Sequence, residues 1–165
     1  MVFVATDWVA YHAQHRADSL ALGCAEDGRR ITWAQLEDRV AGVAATLRDL
    51  GVGPGDRVAL ISENDPRVFE VQFACMRLGA LFVPLNWRLH ASEIQEICLD
   101  ARPGIIVHDG QWAEVAVAVA EKADIAQTLS WDCRHSVADY ESGISAATPF
   151  RATDAISMDQ PTHIL

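Results

Sequence analysis

Apolar positions along the chain follow two alternating rhythms. Leu36, Val40, Val43, Leu47 and Leu50 recur at spacings of four and three, which puts them on one stripe of a helix, with Glu37, Asp38, Arg48 and Asp49 off it. Just upstream, Thr32-Trp-Ala-Gln35 has capping-box spacing, in which the threonine hydroxyl and the glutamine side chain each satisfy a free amide at the helix start. Gly51 suits a left-handed end to that helix. The second rhythm is one of short, unbroken apolar runs, as expected of buried strands: Arg57–Ser62, Ala80–Leu85, Ile105–His108 and Thr128–Trp131. Helical patterns separate them. Asn64-Asp65-Pro66 opens one that runs to Gly79 and is apolar almost all round, so it should be covered on more than one side. Another spans 92–101 with Ile94, Ile97, Cys98 and Ala101 on one face, and Pro103-Gly104 breaks it; two more span Gln111–Ala123 and, weakly, Val137–Ala146.

Upstream of this series, Tyr11–Asp18 has a short helical pattern, and Ser19–Cys24 and Arg30–Trp33 read as strands around the turn Glu26-Asp27-Gly28-Arg29. The alternation from 57 to 131 predicts an α/β fold: an N-terminal hairpin plus helix, then an open, mainly parallel sheet with helices on both faces. Three parts follow: 1–55, the N-terminal helix, β-hairpin and capping helix; 56–146, the α/β subdomain; and 147–165, a linker and a first strand. The stretch 147–161 reads as irregular surface with Asp154 and Asp159, after which Thr162–Leu165 begins another strand.

Composition narrows the function classes. The 165 residues are 50% hydrophobic and 22% charged, ordinary for one globular unit. Thirteen basic residues face 23 acidic ones, a net charge of -10, and apart from Arg29-Arg30 the basic ones are scattered singly, so a face that tracks nucleic-acid phosphates is not expected. Met1–Ala10 has no positive n-region, and no run approaches the roughly 18 apolar residues of a membrane helix, so neither a secretory signal nor a membrane span is expected and the cytoplasm is the expected location. Cys24, Cys75, Cys98 and Cys133 form no C-x-x-C pair and read as reduced thiols.

Ile31-Thr-Trp-Ala-Gln-Leu36 resembles the first core motif of the adenylate-forming superfamily, which contains the AMP-forming acyl-CoA synthetases, L-T-Y-x-E-L. Met76-Arg-Leu-Gly-Ala-Leu-Phe-Val-Pro-Leu-Asn86 resembles the second, K-x-G-A-x-x-V-P-L followed by Asn or Asp; Gly51–Val58 and Asn86-Trp-Arg-Leu89 join in register. Asp159–Leu165 is similar to the lead-in to the family's phosphate loop, which would begin one residue further on. Asn-x-Arg-Leu after Val-Pro-Leu is more like the carboxylate:CoA ligases than the peptide-synthetase adenylation domains. The resemblance implies a fatty or aromatic acid as substrate, activated by ATP with Mg2+ to an acyl adenylate and passed to CoA. It also implies that the phosphate loop, the magnesium residues and the catalytic lysine lie beyond Leu165; Lys122, the single lysine, matches no family motif. The 165 residues are therefore expected to be inactive alone and to bind none of ATP, Mg2+ or CoA tightly, and residues 19–51, which in the family pack on later sequence, to expose apolar surface that favours a homodimer.

Arg88 is the one candidate site residue, because a planar guanidinium in this family neighbourhood suits a phosphate of CoA; a structural salt bridge is the competing role. No catalytic or metal-binding residue is expected. The Gly51-Val-Gly-Pro-Gly55 string follows a helix and enters a strand, the reverse of a phosphate loop. His12 and His15 lack a third ligand, His90 stands where Ser or Thr would cap a helix, and Trp33, Trp87 and Trp112 read as boundary packing. Ser62 and Ser92 have no histidine and acid at triad spacing, and the carboxylates read as solvent-facing. Two further readings stand beside the ligase: a noncatalytic α/β interaction or acyl-binding module derived from the family, and a Rossmann-type regulatory domain, disfavoured because no strand runs into a Gly-rich helix start.

Overall fold

The computed structural model describes residues 4–5, 7–25, 27–131, 138–151, 156–157 and 161–164. In chain order the elements are β1 (Val4–Ala5), α1 (Trp8–Arg16), β2 (Leu20–Gly23), β3 (Arg30–Thr32), α2 (Trp33–Asp49), β4 (Arg57–Ile61), α3 (Pro66–Leu78), β5 (Leu81–Leu85), α4 (Ala91–Ala101), β6 (Ile105–His108), a 3-10 turn (Gly110–Trp112), α5 (Ala113–Lys122), β7 (Gln127–Ser130), β8 (Ala138–Asp139), α6 (Tyr140–Ala146) and β9 (Ile156–Ser157). Cys133, Asp154, Asp159, Glu26 in the expected turn, and Val137 at the start of the last expected helix lie outside the described residues.

The capping box forms as its spacing requires: Thr32 N–H donates to Gln35 Oε1 at 2.9 Å, and Gln35 N–H to Thr32 Oγ1 at 3.3 Å. At the other end of α2, Gly51 takes φ 92, and the Gly51 and Val52 amides bond back to Arg48 O and Leu47 O, which satisfies the last carbonyls. α3 starts on Asp65, whose carboxylate accepts the Arg67 amide, has Pro66 in its first turn, and stops at Gly79 with φ 72. The hairpin pairs Leu20 with Thr32 and Gly23 with Arg30, with a bulge between Leu20 and Leu22.

The main sheet has the order β5-β4-β6-β7-β8, parallel throughout. Strand period sorts its side chains into two cores. Val58 and Leu60 of β4 join Phe82, Ile105 and Val107 beneath α2 and α3, while Ala59 and Ile61 join Val83, Leu85 and Ile106 beneath α4 and α5. The sheet is covered on both faces, as expected of parallel strands. Thr162–Ile164 adds to the outer edge of β5: His163 bridges Phe82 in parallel, with Phe82 N–H to Thr162 O at 2.9 Å and Ile164 N–H to Phe82 O at 3.1 Å.

Several expectations need correction. The stretch read as irregular contains β9, which pairs antiparallel with β1, a contact two residues long that no local pattern announces. The first helix starts at Trp8, because Asp7 caps it by accepting the Ala10 amide at 3.0 Å. The 111–123 pattern divides into a 3-10 turn and a helix. The last helix starts at Tyr140, preceded by a short strand that closes the parallel sheet. Carboxylates are not all solvent-facing: Glu37 and Glu70 are buried, because each meets a guanidinium across a helix interface.

Candidate functional site

All strands of the main sheet end at one rim, where residues 62–65 follow β4, 86–90 follow β5 and 109–112 follow β6. β4 sends its successor β5 to one side and β6 to the other, so the rim there is a topological switch point, where open parallel sheets leave a crevice for ligands. Asn86, Trp87, Arg88 and Trp112 sit at this place.

The turn after β5 is built locally. Asn86 Oδ1 accepts the Arg88 amide at 3.0 Å, and Leu89 N–H donates to Asn86 O at 3.1 Å. Trp87 and Leu89 pack onto the core beneath α4 and α5, which turns Arg88 outward, where it is exposed. Its guanidinium carbon lies 4.1 Å from the centroid of the Trp87 ring, and Trp87 lies 5.9 Å from Trp112 with the rings tilted by 46°. No carboxylate pairs with Arg88 among the described residues. The Arg88 guanidinium lies over the Trp87 ring, and its N–H donors have no partner among the described residues. The Trp112 indole Nε1 is buried with no hydrogen-bond partner among the described residues.

The remaining singled-out residues are dispersed. Lys122 is exposed at the end of α5. His12 of α1 has its ring centroid 4.5 Å from that of Trp33 of α2, and burial followed by the nearby Arg16 charge lowers its pKa. Ser62 donates to Glu63 O at 2.7 Å. The His90 amide donates to Glu93 Oε2 at 2.9 Å, half of a capping box. In the glycine string, Gly53 N–H goes to Asp56 Oδ2 at 2.8 Å and Gly55 N–H to Gly79 O at 2.8 Å, so these amides serve the fold. No group of three His, Cys, Asp or Glu side chains among the described residues converges to hold a metal.

Two ion networks went unread in the sequence. Arg39 of α2 holds buried Glu70 of α3 through two hydrogen bonds of 3.0 and 2.9 Å, Tyr140 O–H donates to Glu70 at 2.8 Å, and Glu141 bonds Arg39 at 2.9 Å. Burial followed by the Glu70 charge raises the Tyr140 pKa, and the Arg39 hydrogen bond holds Glu141 below the ordinary carboxylate range. A cavity of about 470 Å³ opens over this cluster, lined by Arg29, Arg30, Gln35 and Arg67 among others. Its acids are already matched by guanidinium partners, so it acts as a clasp holding α6 on α2 and α3. The second network joins Arg77, Glu37, Asp7 and Arg151. The only sequence signal for either was a charge inside an otherwise apolar helix face.

The AMP-binding enzyme family profile matches residues 9–164. The chain belongs to that family. It is 43% identical to a feruloyl-CoA synthase of an Amycolatopsis species over 93 residues, 56% of this chain and 19% of that protein. It is 36% identical to an indoleacetate–CoA ligase of Aromatoleum aromaticum over 101 residues, 61% and 19% of the two chains. The chain thus spans about a fifth of the length of these relatives. A crystal structure of a putative long-chain-fatty-acid CoA ligase from Rhodopseudomonas palustris superimposes with a TM-score of 0.81 at 27% identity, covering 93% of this chain and 39% of that one. The benzoate CoA ligase of Burkholderia xenovorans shares the fold, with a TM-score of 0.87 at 21% identity over 99% and 32% of the two chains.

Arg88 thus presents an exposed guanidinium with no side-chain partner among the described residues, a chemistry that suits an anion such as a phosphate.

Proposed function

We propose that the chain is the N-terminal part of an ATP-dependent, AMP-forming ligase that joins a fatty or aromatic carboxylic acid to CoA through an acyl adenylate. ATP with Mg2+ supplies the activation, and later sequence supplies the residues that carry it out. Residues 1–55 form the helix, hairpin and capping helix, of which α2 already packs on α3 and the main sheet, leaving the hairpin side for that later sequence; 56–146 form the α/β subdomain, and 147–165 the lead-in to the phosphate loop. Arg88 is proposed as a contact for a phosphate of CoA and Trp87 as its support; the 165 residues alone catalyse neither step. The observation that carries this reading is family membership over residues 9–164, with CoA ligases among the relatives.

No helix among the described residues is long and apolar enough to cross a membrane. A cytoplasmic role in acyl activation is proposed. A homodimer is proposed through the ground around the hairpin, where Trp8, Tyr11, Leu20 and Phe69 are 60%, 45%, 45% and 44% exposed. A monodisperse monomer by light scattering would refute the dimer.

The test compares the complete gene product with residues 1–165, assaying ATP-dependent pyrophosphate release and thioester formation with ferulate, benzoate and octanoate. Activity is expected in the first and not in the second. A complete product inactive on all three acids, or a saturable submillimolar ATP isotherm with residues 1–165, would overturn the reading. Acyl-chain binding without ATP dependence would replace it with the noncatalytic module.

A further inference from the structure

Among the described residues, the Arg88 side chain is held by aromatic surface alone. Its guanidinium carbon lies over the Trp87 ring, 4.1 Å from the centroid, and no carboxylate or carbonyl among the described residues accepts from that side chain. Trp87 in turn is backed by Trp112, which comes from the turn after β6, two strands away across the sheet. Both indoles rest on the core beneath α4 and α5. The order is therefore core, Trp112, Trp87, Arg88, then solvent.

An arginine side chain carries considerable rotamer entropy, part of which is lost when it engages a ligand. A guanidinium already stacked on a ring has given up part of that freedom beforehand, and its N–H fork, lying in the plane, remains available at the edge. Stacking and edge-on phosphate recognition use different parts of the group, so the same arginine can do both. Lysine cannot, because its ammonium has no plane to stack.

We propose that Trp87, backed by Trp112, is a positioning residue that pre-orients Arg88 for a phosphate of CoA. The inference rests on the reading of Arg88 as a CoA contact and adds the means by which that contact is prepared. It also assigns the position after Asn86 a preference for a flat aromatic side chain.

The experiment uses the complete gene product, labelled with 15N-arginine, and reads the Arg88 Nε–Hε resonance, assigned by its loss in Arg88→Lys. In the wild type the Trp87 ring current is expected to displace this resonance from its solvent-exposed position. Trp87→Leu is expected to return it there, and Trp87→Phe to retain much of the displacement; an unchanged fold is checked in each variant from the remaining amide spectrum. Titration with CoA is then expected to move the Arg88 resonance, with an apparent Kd raised about two- to fivefold by Trp87→Leu, the worth of an exposed cation–π contact. Trp112→Leu is expected to give a smaller rise, and Trp87→Phe a Kd near wild type. If CoA moves the resonance equally well in wild type and Trp87→Leu, the positioning role is overturned while Arg88 stands as the contact. If CoA leaves Arg88 unmoved in the wild type, the contact itself falls, and the positioning role with it.

Discussion

Replacing Arg77 by methionine tests the buried ion network most directly. The Arg77 side chain is 0% exposed and reaches Asp7 at 2.8 Å, Glu37 at 2.6 and 3.2 Å, and the Phe150 carbonyl at 3.4 Å. Methionine keeps most of the stem and removes the charge, leaving two carboxylates facing one another in a site that admits little water. Deleting one partner of a buried pair costs roughly 3–5 kcal/mol, because the other charge stays desolvated. Two features place this case near the lower end: Asp7 is 14% exposed, and Glu37 keeps Arg151 at 3.2 Å. We therefore expect a loss of about 3 kcal/mol, a large part of the 5–15 kcal/mol typical of a domain. In urea at neutral pH, with an m-value of roughly 2 kcal/mol/M, the midpoint should fall by about 1.5 M. The double variant Arg77→Met with Glu37→Gln should recover about 1–2 kcal/mol, since an amide tolerates the site better than an unpaired carboxylate. A single-variant loss below about 1 kcal/mol, or a double variant no more stable than the single one, would refute the account.

Gly42 and Gly143 let α2 and α6 approach closely: a Cβ on Gly42 would fall 2.6 Å from Ile144 Cγ2, and one on Gly143 would fall 2.6 Å from Thr46 Cγ2. Gly42→Ala should cost about 1–3 kcal/mol by urea unfolding and be partly relieved by Ile144→Ala; a neutral result would refute the tight crossing. Thr32→Ala should cost about 1 kcal/mol by removing one arm of the capping box, read from the same transition. Glu141 has its pKa depressed in the folded state by Arg39, so its contribution is present above the ordinary carboxylate range and lost as pH falls through the lower folded value. The stability gap between wild type and Glu141→Gln should therefore close on acidification; a gap independent of pH would count against the clasp. Cys98, its pKa raised to about 11 by burial, and buried Cys75, raised further, should resist iodoacetamide at pH 8 until the chain unfolds, while half-buried Cys24 reacts.

Much of the fold was legible because its signals are periodic and local. The α2 stripe, its capping box, the hairpin and the alternation of strands with helices each occupy a short window, and each formed where the pattern placed it. What escaped depends on pairs far apart in sequence. Glu37 lies off the apolar stripe of α2 and so looked solvated; only the packing of α3 brings Arg77 over it, 40 residues later. Glu70 likewise looked like a lone charge on an apolar helix until Arg39 and Tyr140 closed on it. At the rim, the motif singled out Arg88, but its contact with Trp87 and, through it, Trp112 joins two turns separated by a whole βα unit, and Arg–Trp adjacency alone does not specify that the guanidinium lies over the ring.

The edge strand at 162–164 has a consequence for the order in which the chain is made. Phe82 waits for His163, about 80 residues downstream, before the outer edge of β5 is paired. At cellular elongation rates that interval is roughly 4–16 s, far longer than local helices and hairpins need to form. During it, β5 offers the ribosome's surroundings an apolar strand with open hydrogen-bonding groups, interrupted by Pro84, which has no N–H to give. The proline sits where a nascent sheet would be most open to the wrong neighbour.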